Sequence, residues 1–139
     1  MTLGTPERPI EILVVEDNPA DVELTQRALG NAPYDHNVTV AEDGEVAIAM
    51  LRNEGEHTNV PRPDAIFLDL KMPNKDGWEV LKDINDDPDL KGIPVMLLTT
   101  LQAESTQLAE SGIHPSRYCR KPPDRIRIKA FLESVIRTS

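Results

Sequence analysis

Cysteine is almost missing from this chain: of 139 residues only Cys119 is one. An intramolecular disulfide is therefore excluded, and a reducing compartment fits. The histidines, His36, His57 and His114, are scattered without ligand spacing, which argues against a zinc site. Cationic charge is also short. Lys and Arg number 15 against 24 Asp and Glu, a formal net charge of -9, so the clustered basic surface that phosphate backbones require is lacking. No apolar run approaches the roughly 20 residues of a membrane span, and no signal-type stretch follows Met1. A cytoplasmic protein is expected, with neither nucleic acid nor membrane as partner.

What the chain does contain is short blocks of Ile, Leu, Val and Ala between turn signals, at a length suited to one domain. Residues 1–9 carry two prolines and no periodicity, and read as a loose tail ahead of a domain over 10–138. The block Ile10 to Val15 reads as a β-branched strand ending in Glu16-Asp17. Asn18-Pro19-Ala20-Asp21 is a helix start, with Asn18 as cap and Asp21 at the positive end of the helix. Leu24, Thr25, Ala28 and Leu29 are assigned to its inward face.

A second strand is expected over about 36–41. A helix burying Ala47, Ile48 and Leu51 follows, and then a polar, proline-broken surface loop from Asn53 to Pro63. Ala65-Ile66-Phe67-Leu68 is a continuous apolar run and reads as a strand buried on both faces of a parallel sheet, with Asp69 at its end. Gly77 would let the next helix, burying Val80, Leu81 and Ile84, approach the sheet closely. A fourth strand runs from Ile93 to Leu98 and ends in Thr99-Thr100. The helix over 103–111 has a thin apolar stripe and should be the least anchored. A short edge strand, Ser116 to Arg120, precedes Lys121-Pro122-Pro123. The last helix buries Ile128, Phe131, Leu132, Val135 and Ile136.

Strands alternating with helices imply an α/β fold, a doubly wound five-stranded parallel sheet of (βα)5 type. Ligands of such sheets bind at the carboxyl ends of the strands. There the sequence delivers Glu16 and Asp17, then Asp69, Thr99 and Lys121. Three carboxylates make an oxygen site suited to Mg2+, which would keep them ionised despite their mutual repulsion. A lysine and a hydroxyl at the same edge supply donors for an incoming anion. The combination suits phosphoryl transfer to a carboxylate, with Asp69 as nucleophile.

These residues resemble a response-regulator receiver domain of two-component signalling, of the CheY-like, flavodoxin-like fold. The resemblance spans about Ile10 to Ile136. Glu16-Asp17 matches the acidic pair, Asp69 to Gly77 the D-x-x-M-P-x-x-D-G pattern, Thr99 the Thr/Ser after strand four, and Tyr118 the switch aromatic before Lys121-Pro122. The resemblance implies that Asp69 accepts a phosphoryl group from a sensor histidine kinase. Mg2+ would be held by Asp17, Asp69, the Lys71 backbone carbonyl and, through water, Glu16. It further implies that Thr99 and Lys121 contact the phosphoryl oxygens, that Tyr118 turns inward, and that the Lys121-Pro122 bond is cis. Signalling would pass through the face of helix four, strand five and helix five to an unidentified downstream protein, with a homodimer expected through the same face. Catalysis would be limited to the chain's own phosphoryl transfer and dephosphorylation. Lys71 and Leu101, both bulky and flanking the site, are expected to shield the aspartyl phosphate from in-line water and so tune its hydrolysis. The Asn53-Glu54-Gly55-Glu56 insertion and the Arg62-Pro63-Asp64 lead-in are similar to stand-alone regulators paired with bacterial phytochromes.

Other classes fit less well. A flavin or nucleotide binder needs a glycine-rich or hydroxyl-rich phosphate loop after strand one, and here that loop is acidic and lacks glycine. A metal-dependent nuclease would need an acid where Lys71 stands. A receiver-like module that binds partners unphosphorylated remains an alternative. The chain ends soon after its last helix, so output is expected by protein contact, or else the receiver belongs to a larger regulator.

Overall fold

The computed structural model describes residues 2–72, 75–99, 117–121 and 123–138. Five strands, β1 (Ile10–Val15), β2 (His36–Ala41), β3 (Ala65–Asp69), β4 (Val95–Thr99) and β5 (Tyr118–Arg120), form one sheet. All pair in parallel, in the order β2-β1-β3-β4-β5. Helices α1 (Pro19–Gly30), α2 (Gly44–Leu51) and α3 (Gly77–Asp86) and a C-terminal helix (Arg125–Thr138) cover it.

Strand periodicity explains the two cores. Successive side chains point to opposite faces, so Ile10, Ile12, Val14, Ala65, Phe67, Met96 and Leu98 meet α1 and the C-terminal helix. On the other face Leu13, Val15, Ile66, Leu68 and Leu97 meet α2 and α3. Phe67 and Phe131 pack edge to face, ring centroids 5.4 Å apart. The helix starts follow the sequence signals. Asn18 Oδ1 accepts from the backbone N–H groups of Ala20 and Asp21, while Asp43 and Asp76 cap α2 and α3.

Several readings change. Residues 2–9 do not form a loose tail: Leu3 is buried in the first core, Thr5 bridges Arg8, and the Asp35 N–H donates to the Gly4 carbonyl at 2.9 Å. One apolar side chain was enough to dock a segment without periodicity. Leu24 is exposed, because at about 100° per residue it lies a quarter turn from Thr25 and off the stripe set by Thr25, Ala28 and Leu29. Leu51, Leu81 and Ile136 are only half-buried at the rims of the cores. The 53–63 loop contains a 3-10 turn, Gly55–His57, and is tied by the Asn53 amide to the carbonyls of His57 and Val60. The helix expected over 103–111, Leu101 and Pro122 lie outside the described residues.

Candidate functional site

The chain passes from β1 to β2 on one side and returns to β3 on the other, so a crevice opens beyond the carboxyl ends of β1 and β3. The β1–β2 ladder continues one residue past the strand, with the Glu16 N–H donating to Ala41 O at 3.0 Å. That bond fixes Glu16 pointing inward, 2 % exposed, while Asp17 is exposed. Glu16 Oε2 also accepts from the Asn18 N–H at 3.3 Å, joining the acidic pair to the helix cap.

Asp69 ends β3 at 4 % exposure, and its Oδ1 accepts from the Lys71 N–H at 3.2 Å. Its backbone is held from below by α3. The Gly77 N–H donates to Leu70 O at 3.1 Å, and a Cβ at Gly77 would strike the Asp69 carbonyl oxygen and meet Leu70 Cα at 2.6 Å. Only glycine allows this approach. On the neighbouring strand Thr99 is buried at 5 % exposure, and its Oγ1 has no hydrogen-bond partner among the described residues. An orphaned buried hydroxyl costs stability unless another state of the molecule satisfies it.

Lys121 extends the β4–β5 ladder, its N–H donating to Thr99 O at 2.8 Å. Its ammonium is the hub of the site. Nζ lies 2.5 Å from Glu16 Oε1, 3.0 Å from Asp21 Oδ2 and 3.2 Å from Asp69 Oδ1. Burial alone would lower this ammonium's pKa, but the hydrogen bonds to Glu16 and Asp21 and the charge of Asp69 outweigh it and raise it above the usual lysine range. Glu16 is pushed up to about 8, first by burial and then by its hydrogen bond and repulsion with Asp69, with Lys121 opposing. Burial and the neighbouring Asp69 thus favour the protonated form of Glu16, and a cation beside it would favour the ionised form.

Carboxylate oxygens of Glu16, Asp17 and Asp69 all lie within 4.8 Å of one another. This all-oxygen, partly open set suits a hard divalent cation that keeps some water. Of the residues expected at the site, the fold brings together Glu16, Asp17, Asp69 and Lys121, with Thr99 on the adjoining strand end. Tyr118 stands apart, half-buried against the α2–α3 core, with its carbonyl accepting from Arg127 at 3.1 Å. The Lys71 backbone abuts Asp69 and its side chain is exposed. Asp21 was missed. It reads as helix-terminal charge, and the only cue to a second role is its place one turn beyond Glu16-Asp17.

Residues 12–133 match the response regulator receiver domain family. Response regulator Rcp1 of Synechocystis sp. is 45% identical over 113 residues, 81% of this chain and 77% of Rcp1. A manganese-bound form of Rcp1 superposes with a TM-score of 0.73 at 42% identity, covering 91% of this chain and 89% of the other. The bacteriophytochrome response regulator AtBRR superposes with a TM-score of 0.81 at 34% identity over 91% of each chain. The phosphorylated cyanobacterial phytochrome response regulator RcpA gives 0.77 at 41% identity, over 94% of this chain and 96% of its own. The similarity to phytochrome-paired regulators read from residues 53–64 is thus borne out at the level of relatives. Match, sheet order and strand-end chemistry agree, and the chain belongs to the response regulator receiver family.

Proposed function

We propose that Asp69 is the phosphoacceptor of a Mg2+-dependent receiver that takes its phosphoryl group from the phosphohistidine of a sensor kinase. The observation that carries this is the Asp69 carboxylate itself: buried, 3.2 Å from the Lys121 ammonium and within 4.8 Å of the Glu16 and Asp17 oxygens. A lone buried carboxylate would be costly; one beside an ammonium and two carboxylates that could share a cation is placed for phosphoryl transfer.

In the reaction an Asp69 oxygen attacks phosphorus and a P–O bond forms. The P–N bond breaks, its electron pair going to the imidazole nitrogen, which takes up a proton. Lys121 neutralises charge on the phosphoryl oxygens, and the Thr99 hydroxyl, which has no partner among the described residues, donates a hydrogen bond to one of them. Mg2+ held by Asp17, Asp69, the Lys71 carbonyl and, through water, Glu16 would supply the remaining positive charge. The resident lysine alone cannot balance the acids around it.

Reorientation of Thr99 is the trigger. Thr99 ends β4 beside Lys121, whose N–H donates to the Thr99 carbonyl, and Tyr118 opens β5 three residues before Lys121. Displacing this edge, with Tyr118 turning inward, shifts a pre-existing equilibrium of the β5 and C-terminal helix face. That face signals by protein contact, to a downstream partner or a second copy of the chain. The phytochrome-regulator relatives support a phytochrome-type kinase as donor, and the single buried cysteine supports a cytoplasmic location. A shielding role for Lys71 and Leu101 predicts that Lys71→Ala and Leu101→Ala each speed dephosphorylation, and unchanged rates would sink that role.

The test is incubation with Mg2+ and acetyl phosphate, then intact mass, for wild type and Asp69→Asn. An alkali-labile phosphoryl adduct on wild type alone is expected. No adduct from acetyl phosphate or from sensor kinases would instead support a module that binds partners unphosphorylated.

A further inference from the structure

We infer that Asp21 is a positioning residue for Lys121, holding the ammonium on the α1 side of the pocket so that it stays aimed at the phosphoryl group. The inference rests on the phosphoacceptor reading and deepens it.

An ammonium has three N–H donors, and Lys121 faces three carboxylates, Glu16, Asp21 and Asp69. Two of these, Glu16 and Asp69, also belong to the oxygen set suited to a cation. When a cation takes their charge, their hold on Lys121 weakens. Asp21 is outside that set, so its bond at 3.0 Å survives. It is itself fixed: it lies in the first turn of α1, and its N–H is drawn to the Asn18 cap at 3.4 Å. The lysine stem is a flexible four-carbon chain, and the side chain is 9 % exposed. With Asp21 in place, one donor stays anchored and the others are free to turn toward the phosphoryl oxygens.

Plain electrostatics makes the opposite forecast, which gives the test its edge. A further acid beside a pocket that receives a phosphoryl dianion repels it, so removing Asp21 would speed labelling if charge alone counted. If Asp21 acts through Lys121, removing it slows labelling despite the lost repulsion.

The experiment follows acetyl phosphate labelling by intact mass in saturating Mg2+, with Mg2+ affinity measured separately. The set comprises wild type, Asp69→Asn, Asp21→Ala, Asp21→Asn and Asp21→Glu, each also made with Lys121→Met. Loss of a charge-assisted hydrogen bond predicts roughly tenfold slower labelling for Asp21→Ala. Asp21→Asn should lie between Asp21→Ala and wild type, and carries the test where alanine loosens the helix start. Asp21→Glu should recover part of the rate, Mg2+ affinity should not fall, and none of the Asp21 changes should slow labelling once Lys121 is Met. Labelling of Asp21→Ala and Asp21→Asn at or above the wild-type rate overturns the inference alone. So does an undiminished effect beside Lys121→Met, or a tenfold loss of Mg2+ affinity. A wild type that takes no phosphoryl group from any donor overturns the phosphoacceptor reading, and the inference with it.

Discussion

Replacing Gly77 by alanine should loosen the fold and disturb Asp69 at once, although alanine is the better helix former. Two effects compete. Removing a glycine from a helix favours the folded state by about 0.5–1 kcal/mol through chain entropy and propensity. Against this, the added Cβ would lie 2.6 Å from Leu70 Cα and 3.0 Å from the Asp69 carbonyl carbon. Carbon atoms prefer about 3.5–4.0 Å, so roughly 1 Å of backbone movement is required. Both opposing atoms are main chain, and no rotamer change can relieve them. Overpacking of this kind costs about 1–3 kcal/mol, and the clash should win by about 1–2 kcal/mol. The apparent midpoint of thermal unfolding should then fall by roughly 5 °C. Gly30→Ala is the matched control: it also lies in a helix, a Cβ there meets nothing within 4 Å, and it should stabilise. Urea unfolding of both variants, with acetyl phosphate labelling of Gly77→Ala, measures the pair. Equal stabilisation by the two substitutions would refute the close approach of α3 to the end of β3.

Thr99→Val removes a buried hydroxyl without a described partner while keeping the side chain's shape, so the unphosphorylated protein should gain about 1 kcal/mol in urea unfolding. The same variant should lose the conformational response to phosphorylation; a destabilised Thr99→Val would mean that the hydroxyl is satisfied at rest. Leu3→Ala should cost about 2–4 kcal/mol, because Leu3 is 3 % exposed in the first core. A loose tail would give no change. Glu16, raised to about 8, binds a proton in the fold that it lacks when unfolded between about pH 4.5 and 8. Stability without metal should therefore fall as pH rises through that window. Mg2+ must displace the same proton, so its affinity should climb by up to tenfold per pH unit and level off near pH 8. A calorimetric titration with flat affinity from pH 6 to 8 would show Glu16 ionised throughout.

Much of this was legible because the fold obeys local rules. Ile12 to Val15 and Ala65 to Leu68 are apolar without interruption, which suits strands covered on both faces. Asn18, Asp43 and Asp76 each cap the helix that follows. Because strand ends converge in a parallel sheet, the sequence alone gathers Glu16, Asp17, Asp69, Thr99 and Lys121 at one edge. Long-range partnership was not legible. Asp21 meets Lys121 across 100 positions, and nothing local distinguishes it from an acid placed for the helix dipole. Leu3 was hidden for the same reason, since a single apolar residue beside two prolines has no period to betray its burial. Leu24 failed the other way: its residue type suggested burial, and its angle on the helix placed it in water.

The span of the Lys121–Glu16 contact has a consequence for biosynthesis. These residues stand 105 positions apart, so the ammonium reaches the acids only when β5 closes the edge of the sheet. A chain emerging from the ribosome presents Glu16, Asp17 and Asp69 long before Lys121 exists. Until then the contacts that Lys121 makes with Glu16 and Asp69 cannot form. On the phosphoacceptor reading, a chain that lacks β5 is therefore expected to be a poor acceptor.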